Sequence, residues 1–247
     1  MPLESPLPDS LQSPPAAFAL PEIVPWGRRL AEYRAFFDLG APSLDDLRAC
    51  PRILDVGGGP ASFAAEAAQQ GLRVTAVDPL YRLGGDAIRA RVAAARPAME
   101  RGLEQAADRF DWGYYGSPGA LLRMRTEALE LFLADYEWGR ACGRYRAGQL
   151  PALPFAEGAF DLALCSHLLF LYGEALDAAF HVAALAELAR VAREVRVFPL
   201  LDLEGRRSPH LGPAVAALRA QGLAVEERPV PFLFQKGGGT MLRVWRG

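Results

Sequence analysis

Short runs of apolar residues alternate along most of the chain with longer stretches whose apolar residues recur every three or four positions. The first run, residues 52–56, leads into a glycine-rich turn, an alanine-rich helical stretch at 62–70 and a second apolar run at 72–77. Strand, turn, helix and strand in this order make a βαβ unit, whose two strands lie parallel. The pattern therefore predicts an α/β fold built on a parallel sheet.

The same alternation returns after residue 145. It predicts strands at 145–147, 160–165 and 194–201, helices at 176–192 and 212–221, and two final strands at 224–234 and 241–246. The last two strands flank a glycine-rich turn at 235–239, which predicts a terminal β-hairpin.

Two helices are predicted before the first strand. An amphipathic stretch runs from Arg28 to Leu39 and ends at Gly40, a typical helix stop. Residues 43–46 resemble a capping box that opens a second, short helix.

The connection between the second and third strands is much longer than a parallel crossover needs. Residues 82–144 exceed the roughly 30 residues of a complete βαβ unit. They contain two helical stretches, 88–107 and 118–142, around an aromatic loop at 110–116. We expect a helical insertion that either forms a lid or wall of a substrate pocket or packs only on the edge of the sheet.

The composition fits one domain in a reducing compartment. The 247 residues are 51% hydrophobic with a net charge of −2, which is not the charge of a nucleic-acid-binding chain. Three cysteines without a CxxC pair argue against a disulfide framework and against a zinc site. No signal peptide and no membrane helix of roughly 20 apolar residues is expected. We predict a cytoplasmic protein with a loose arm at 1–25 and a single domain at 26–247; its oligomeric state is not predicted.

The most informative segment is the acidic, glycine-rich turn after the first strand, residues 55–59. Glycines let a ligand approach the backbone, and the following helix directs its amide dipole at the same point. Dinucleotide-binding turns share this design but have a third glycine where this chain has Ser62. The carboxylate of Asp55 suits a cationic ligand group better than a pyrophosphate, because like charges repel.

Asp78 ends the second strand. A carboxylate in this position accepts hydrogen bonds from both ribose hydroxyls of an adenosine ligand. Pro79 and Leu80 follow it and are expected to pack on the adenine face. The alternative is that Asp78 only caps a turn.

Four segments carry a resemblance to a known family. They are Asp-Val-Gly-Gly-Gly-Pro at 55–60, Val-Asp-Pro at 77–79, Leu-Pro-Phe at 153–155 and Phe-Asp-Leu-Ala-Leu-Cys-Ser-His at 160–167. They resemble class I S-adenosylmethionine-dependent methyltransferases of the small-molecule type, over residues 50–247. The resemblance implies an α/β, Rossmann-like seven-stranded sheet of order 3-2-1-4-5-7-6 with the last strand antiparallel. It also implies S-adenosylmethionine as the cofactor, bound across the carboxyl ends of strands one, two and four.

The family's binding residues transfer to matching positions here. Asp55 and the glycines at 57–59 would hold the methionine end, and Asp78 the ribose. Gln149 stands where many relatives carry the aspartate that bonds the adenine amino group, and its carbonyl oxygen can accept the same bond. The expected cofactor contacts are Trp26, Arg28, Asp55, Gly57, Gly58, Gly59, Asp78, Pro79, Leu80, Gln149, Leu150, Ser166 and His167.

A narrower resemblance spans almost the whole chain. Val-Pro-Trp-Gly-Arg at 24–28, Asp-Pro-Leu-Tyr at 78–81, Phe-Leu-Ala-Asp-Tyr at 132–136, Phe-Pro-Leu-Leu-Asp-Leu at 198–203 and Ser-Pro-His-Leu at 208–211 are similar to a group of bacterial methyltransferase-like proteins without an assigned substrate. The segment with Trp26 and Arg28 precedes the core, and we expect it either to fold over the cofactor or to anchor the chain by hydrophobic packing.

His167 is the candidate general base. Methyl transfer from a sulfonium mainly requires alignment and the exclusion of water, and a base is needed only when the acceptor must lose a proton. His167 therefore either takes that proton or only shapes the pocket.

The acceptor is expected to be a small molecule. The residues after strand four lack the motifs of nucleic-acid methyltransferases, and no basic run indicates a phosphate track, so nucleic acid is not an expected partner. No metal site is expected. Two alternatives stay open: a methyltransferase-like protein that binds S-adenosylmethionine or a partner without turnover, and a nicotinamide-dependent oxidoreductase.

Overall fold

The structure, a computed structural model, describes residues 25–40, 51–105 and 107–246. Within these ranges the chain forms one mixed sheet of seven strands in the order β3-β2-β1-β4-β5-β7-β6. The strands are β1 Arg52–Val56, β2 Arg73–Val77, β3 Tyr145–Arg146, β4 Phe160–Ser166, β5 Ala192–Phe198, β6 Leu223–Pro229 and β7 Thr240–Arg246. All neighbouring pairs are parallel except those of β7, which runs antiparallel to both β5 and β6. The strand order expected of the class I methyltransferase fold is confirmed.

Helices cover both faces of the sheet. They are α1 Leu30–Phe37, α2 Phe63–Gln69, α3 Gly85–Gln105, α4 Pro118–Ala141, α5 Ala178–Val191 and α6 Leu211–Ala220, with short 3-10 helices at Pro79–Arg82 and Ala107–Arg109. Successive strand residues enter different cores, since side chains alternate across a sheet. Ile53 packs with α1, α2 and α4, whereas Leu54 packs with α5 and α6.

The insertion consists of two long helices with different environments. α4 begins as predicted, with Ser117 accepting a hydrogen bond from the Ala120 amide at 3.2 Å and proline at the first helical position. One face of α4 is buried in the core. By contrast, α3 buries only Ile88, Met99 and Leu103, so most of its surface faces water or the site described below.

Several predicted boundaries were wrong for identifiable reasons. Helix α1 ends at Phe37 because Asp38, not Gly40, adopts the left-handed conformation that closes it. Strand β6 ends at Pro229 rather than at residue 234, since prolines at 229 and 231 have no amide hydrogen to pair with a neighbouring strand. The hairpin connection therefore spans residues 230–239 and is longer than expected.

Two predictions lie outside the described residues: the arm, apart from Pro25, and the capping box at 43–46. Within the described ranges, every helix is too short or too polar to cross a membrane.

Candidate functional site

One cavity of about 520 Å³ opens at the carboxyl ends of β1, β2 and β4. This is the edge at which open parallel sheets bind ligands, because the turns between strands and helices meet there. Its wall is formed by Pro25, Trp26, Arg28, Tyr33, Val56, Gly57, Gly58, Gly59, Val77, Asp78, Pro79, Leu80, Arg91, Ala94, Ala95, Gly148, Gln149, Leu150, Ser166, His167, Leu168, Leu176 and Phe180.

The glycine turn after β1 has a shape that residues with a side chain rarely adopt. Gly57 and Gly59 have φ angles of +70° and +53°, in the left-handed region. A Cβ on Gly57 would lie 2.7 Å from the Leu168 side chain, and one on Gly58 would collide with the Asp55 carboxylate. The three glycines therefore expose bare backbone to the cavity.

Asp55 lies behind this turn and not on the cavity wall. It is 1% exposed, and its Oδ1 accepts a hydrogen bond from the Tyr33 hydroxyl at 2.9 Å. Tyr33 is itself fixed by stacking on Phe63, with ring centroids 4.0 Å apart. Burial raises the pKa of Asp55 from 3.8 to about 7. The hydrogen bond from Tyr33 lowers this pKa, and the negative charge of Asp78 raises it.

Asp78 joins the turns that follow β1 and β2. Its Oδ2 accepts from the Gly59 amide at 2.9 Å, and its Oδ1 accepts from the Leu80 amide at 2.7 Å. Burial raises the pKa of Asp78 to about 6, although both amide bonds lower it. A carboxylate oxygen has two acceptor positions, so each oxygen can take one more hydrogen bond from a ligand.

The residues beside Asp78 provide a flat apolar surface with one amide. Pro79, Leu80 and Leu150 line the cavity together with Gln149. Gly148 holds the backbone close to β2, since a Cβ there would lie 2.8 Å from the Val77 side chain. A planar, partly polar ring system fits such a surface.

Ser166 is the last residue of β4 and His167 follows it; both line the cavity. His167 adopts a φ of +53°, and its amide donates to the Phe198 carbonyl at 2.6 Å. Its Nδ1 lies 2.8 Å from the Ser166 hydroxyl, and its ring packs against both Phe36 and Phe198. Burial, and then the charges of Arg28 and Arg125, hold the pKa of His167 well below 6.5. The imidazole is therefore neutral at pH 7.

The N-terminal segment closes one side of the cavity. Arg28 donates from Nη1 to the Trp26 carbonyl at 2.9 Å, while its buried Nε has no hydrogen-bond partner. Burial, and then the nearby Arg125, lower the pKa of Arg28. An unpaired, desolvated guanidinium N–H at a cavity wall favours an anionic ligand group.

A buried polar network supports this segment from behind. Glu32 accepts hydrogen bonds from the Tyr115 hydroxyl at 2.6 Å and from Arg125 Nη1 at 2.8 Å, and Arg125 Nη2 donates to Tyr115 at 2.9 Å. The Arg125 guanidinium also lies over the ring of Trp26, 5.2 Å from its centroid. The network joins α1, α4 and the aromatic loop around the wall of the cavity.

Twelve of the thirteen expected contact residues line the cavity, and Asp55 is the one that does not. The expectation that Asp55 lines the site was wrong, because its carboxylate lies behind the backbone of Gly58. His210, which precedes α6, does not line the cavity. Its ring stacks on His181 at 4.7 Å, and the neighbouring Arg206 and Arg207 form ion pairs with Asp202 and Glu227, respectively.

Other cavity residues carry no sequence motif. Tyr33 and Arg91 approach the site only through the packing of α1 and α3, and Leu176 and Phe180 through the segment after β4. The aromatic loop, by contrast, packs against Phe232 and Phe234. In the described part of the chain, His, Cys, Asp and Glu side chains form no cluster of three that could hold a metal ion.

One known protein matches this chain over almost the full length of both. The chain is 29% identical over 228 residues to an uncharacterized protein of Methanocaldococcus jannaschii, covering 92% of this chain and 98% of that protein. No family model matches.

Solved structures similar to the chain include magnesium protoporphyrin IX methyltransferase from Synechocystis PCC 6803 with bound SAH, at 15% identity and a TM-score of 0.47, over 83% of this chain and 78% of that one. A SAM-dependent methyltransferase from Methanosarcina mazei is similar at 16% identity and a TM-score of 0.44, over 84% and 98% of the two chains.

Proposed function

We propose that this protein is an S-adenosylmethionine-dependent methyltransferase that acts on a small-molecule acceptor. The observation that carries the proposal is the convergence of three features on one cavity. These are a bare glycine turn after β1, a carboxylate at the end of β2, and an apolar surface with an amide after β3. They match, in order, an amino-acid end, a ribose and an adenine.

The residues present fit each part of the cofactor. Asp78 has free acceptor positions for the ribose hydroxyls, and Gln149 has an amide for the adenine amino group. The orphaned Nε of Arg28 suits the carboxylate of the methionine end. The charge of Asp55 favours the ammonium and sulfonium groups of the cofactor. Only the backbone at Gly58 separates the Asp55 carboxylate from the position of these groups.

In this proposal the protein aligns the methyl group of the cofactor with the acceptor and excludes water from the site. S-adenosylmethionine supplies the methyl group, whose bond to sulfur breaks as a lone pair of the acceptor bonds to carbon. Trp26, Leu168 and Phe180 line the site with apolar surface and keep water away from this point. The neutral His167 can accept a proton from a hydroxyl or amine acceptor, with Ser166 orienting its ring.

The nicotinamide alternative fits the site less well. Its turn needs a glycine where Ser62 is fully buried and donates a hydrogen bond to Glu66 at 2.5 Å. A pyrophosphate on the same turn would lie near both Asp55 and Asp78, whose charges repel it.

The direct test is calorimetric titration with S-adenosylmethionine, S-adenosylhomocysteine and NADH. We expect micromolar binding of both adenosyl ligands and no binding of NADH.

Asp78→Ala should weaken S-adenosylmethionine binding by roughly 100-fold, since it removes two hydrogen bonds to a charged group. Asp86→Ala, an exposed aspartate at the start of α3, is the control and should bind normally. Circular dichroism establishes that each variant is folded. Wild-type affinity in folded Asp78→Ala, or binding of NADH alone, would overturn the proposal.

A further inference from the structure

Part of the cavity wall lies away from the strand ends that we assign to the cofactor. It is formed by Pro25, Trp26, Arg91, Ala94, Ala95, Leu176 and Phe180. Apart from Arg91, all these side chains are apolar. No acidic side chain belongs to this part of the wall.

Arg91 and the two alanines form one face of α3. Residues at positions i, i+3 and i+4 of a helix lie next to one another, so this face points into the cavity as a unit. Because the alanine side chains are short, this face of α3 leaves room in the cavity, which Leu176 and Phe180 also line. An arginine thus stands at the edge of an apolar gap.

The charge of Arg91 is not neutralised by the protein. Within the described ranges Arg91 has no ion pair or hydrogen bond, whereas its neighbours on other faces of α3 are paired. Arg89 forms an ion pair with Glu130, and Arg96 with Glu100 at 2.8 Å. Among the residues that line the cavity, the acidic side chain is Asp78, which accepts hydrogen bonds from the backbone amides of Gly59 and Leu80.

We propose that the α3 wall is the acceptor subsite and that the acceptor is a small apolar molecule with one anionic group, held by Arg91. The inference rests on the proposed function, which places the cofactor at the strand ends and leaves this wall for the acceptor. Bound S-adenosylmethionine has one net positive charge, so it adds to the attraction for an anion. Leu176 and Phe180 bind the apolar body.

A pair of fluorescent probes with nearly the same apolar body tests the charge preference. 8-Anilino-1-naphthalenesulfonate carries an anionic group, and N-phenyl-1-naphthylamine does not. Titrated into the protein saturated with S-adenosylhomocysteine, the anionic probe should bind at least 10-fold more tightly. Arg91→Gln should remove this preference and leave the neutral probe unaffected, while Arg96→Gln, the matched control on α3, should change neither. Preference retained in Arg91→Gln, or equal binding of the two probes by the wild type, would overturn the proposal.

A second variant locates the probes. Ala94→Trp fills the gap in the wall and should abolish binding of both probes, whereas undiminished binding would place them elsewhere and overturn the assignment. The titrations are repeated without the adenosyl ligand, because failure of the proposed function has a different signature. If calorimetry detects no adenosyl ligand binding but the preference that depends on Arg91 persists, the anion subsite stands and the methyltransferase assignment falls.

Discussion

Asp55 and Asp78 are ionisable groups that the fold makes costly to ionise. Asp55 is buried and Asp78 half-buried beside the same glycine turn, and loss of contact with water raises their pKa values to about 7 and about 6. A carboxyl group whose folded-state pKa is raised binds its proton more tightly in the folded protein than in the unfolded chain. It therefore contributes stability at low pH that is lost as the pH rises through the folded-state pKa. These two groups should therefore lower the stability of the ligand-free protein as the pH rises from about 4 to about 7.

Asp55→Asn isolates this effect. The amide removes the charge but keeps an oxygen for the Tyr33 hydroxyl. At pH 8 we expect the variant to be more stable than the wild type by about 1–3 kcal/mol, because one pKa unit corresponds to about 1.4 kcal/mol. At about pH 4, close to the ordinary carboxyl pKa of 3.8, the group is largely protonated in the folded protein and partly protonated in the unfolded protein, and the gain should nearly disappear. Urea denaturation at the two pH values measures both results.

The control for this prediction is Asp86→Asn, which changes an exposed aspartate and should give no gain at either pH. An equal gain from Asp55→Asn at both pH values would mean that the charge of Asp55 is not the cause. Burial of a carboxylate at this cost is consistent with a function, since functional sites often keep groups that destabilise the fold.

At the scale of elements, the segment after β4 is held by two stacked histidines. His181, on α5, is fully buried, and its Nε2 accepts a hydrogen bond from the Phe170 amide at 3.0 Å. Its Nδ1 must then carry the hydrogen, which it donates to the Asp177 carbonyl at 2.7 Å. His210 stacks on His181, and its Nε2 lies 2.8 Å from the Gly173 carbonyl. This segment carries His167 and Leu176, so the pair supports the wall of the cavity.

Substitution of His181 should loosen that segment. His181→Phe keeps the volume and ring but leaves the Phe170 amide buried without a partner, at a cost of about 1–3 kcal/mol. His181→Gln places an amide oxygen near the position of Nε2 and should recover part of the loss. Urea denaturation gives the stability, and hydrogen exchange at the Phe170 amide should accelerate in the Phe variant and less in the Gln variant. Unchanged exchange in His181→Phe would refute this role.

Prediction from sequence succeeded where the information is local. The strands and the residues at their ends lie within short motifs, so Asp78, Gln149 and His167 could be placed at one edge of the sheet from the strand order alone. The predicted ends of helices and strands were wrong where single residues override the hydrophobic pattern, as the prolines do at the end of β6. Tyr33 and Arg91 could not be predicted as cavity residues, because the packing of α1 and α3 brings them there, and neither residue lies in a motif.

At the scale of the whole molecule, Glu32, Tyr115 and Arg125 connect segments that are distant in sequence. The hydrogen bonds that Glu32 accepts span 83 residues of sequence to Tyr115 and 93 residues to Arg125. Both charged side chains are almost inaccessible to water, with exposures of 0% for Glu32 and 6% for Arg125. Each charge is therefore tolerable only in the presence of the other.

This dependence predicts strong non-additivity. Glu32→Gln and Arg125→Met each leave a buried charge without its counter-ion, and each should cost about 3–5 kcal/mol of unfolding free energy. The double variant leaves no unpaired charge and should be destabilised by clearly less than the sum of the two, which urea denaturation of the four proteins measures. Arg123→Met, exposed on the same helix, is the control and should cost under about 0.5 kcal/mol. Additive costs would mean that the ion pair does not hold the insertion to α1. Because Arg125 also lies against Trp26, S-adenosylhomocysteine should bind more weakly to Arg125→Met and to the double variant, even where the double variant regains stability.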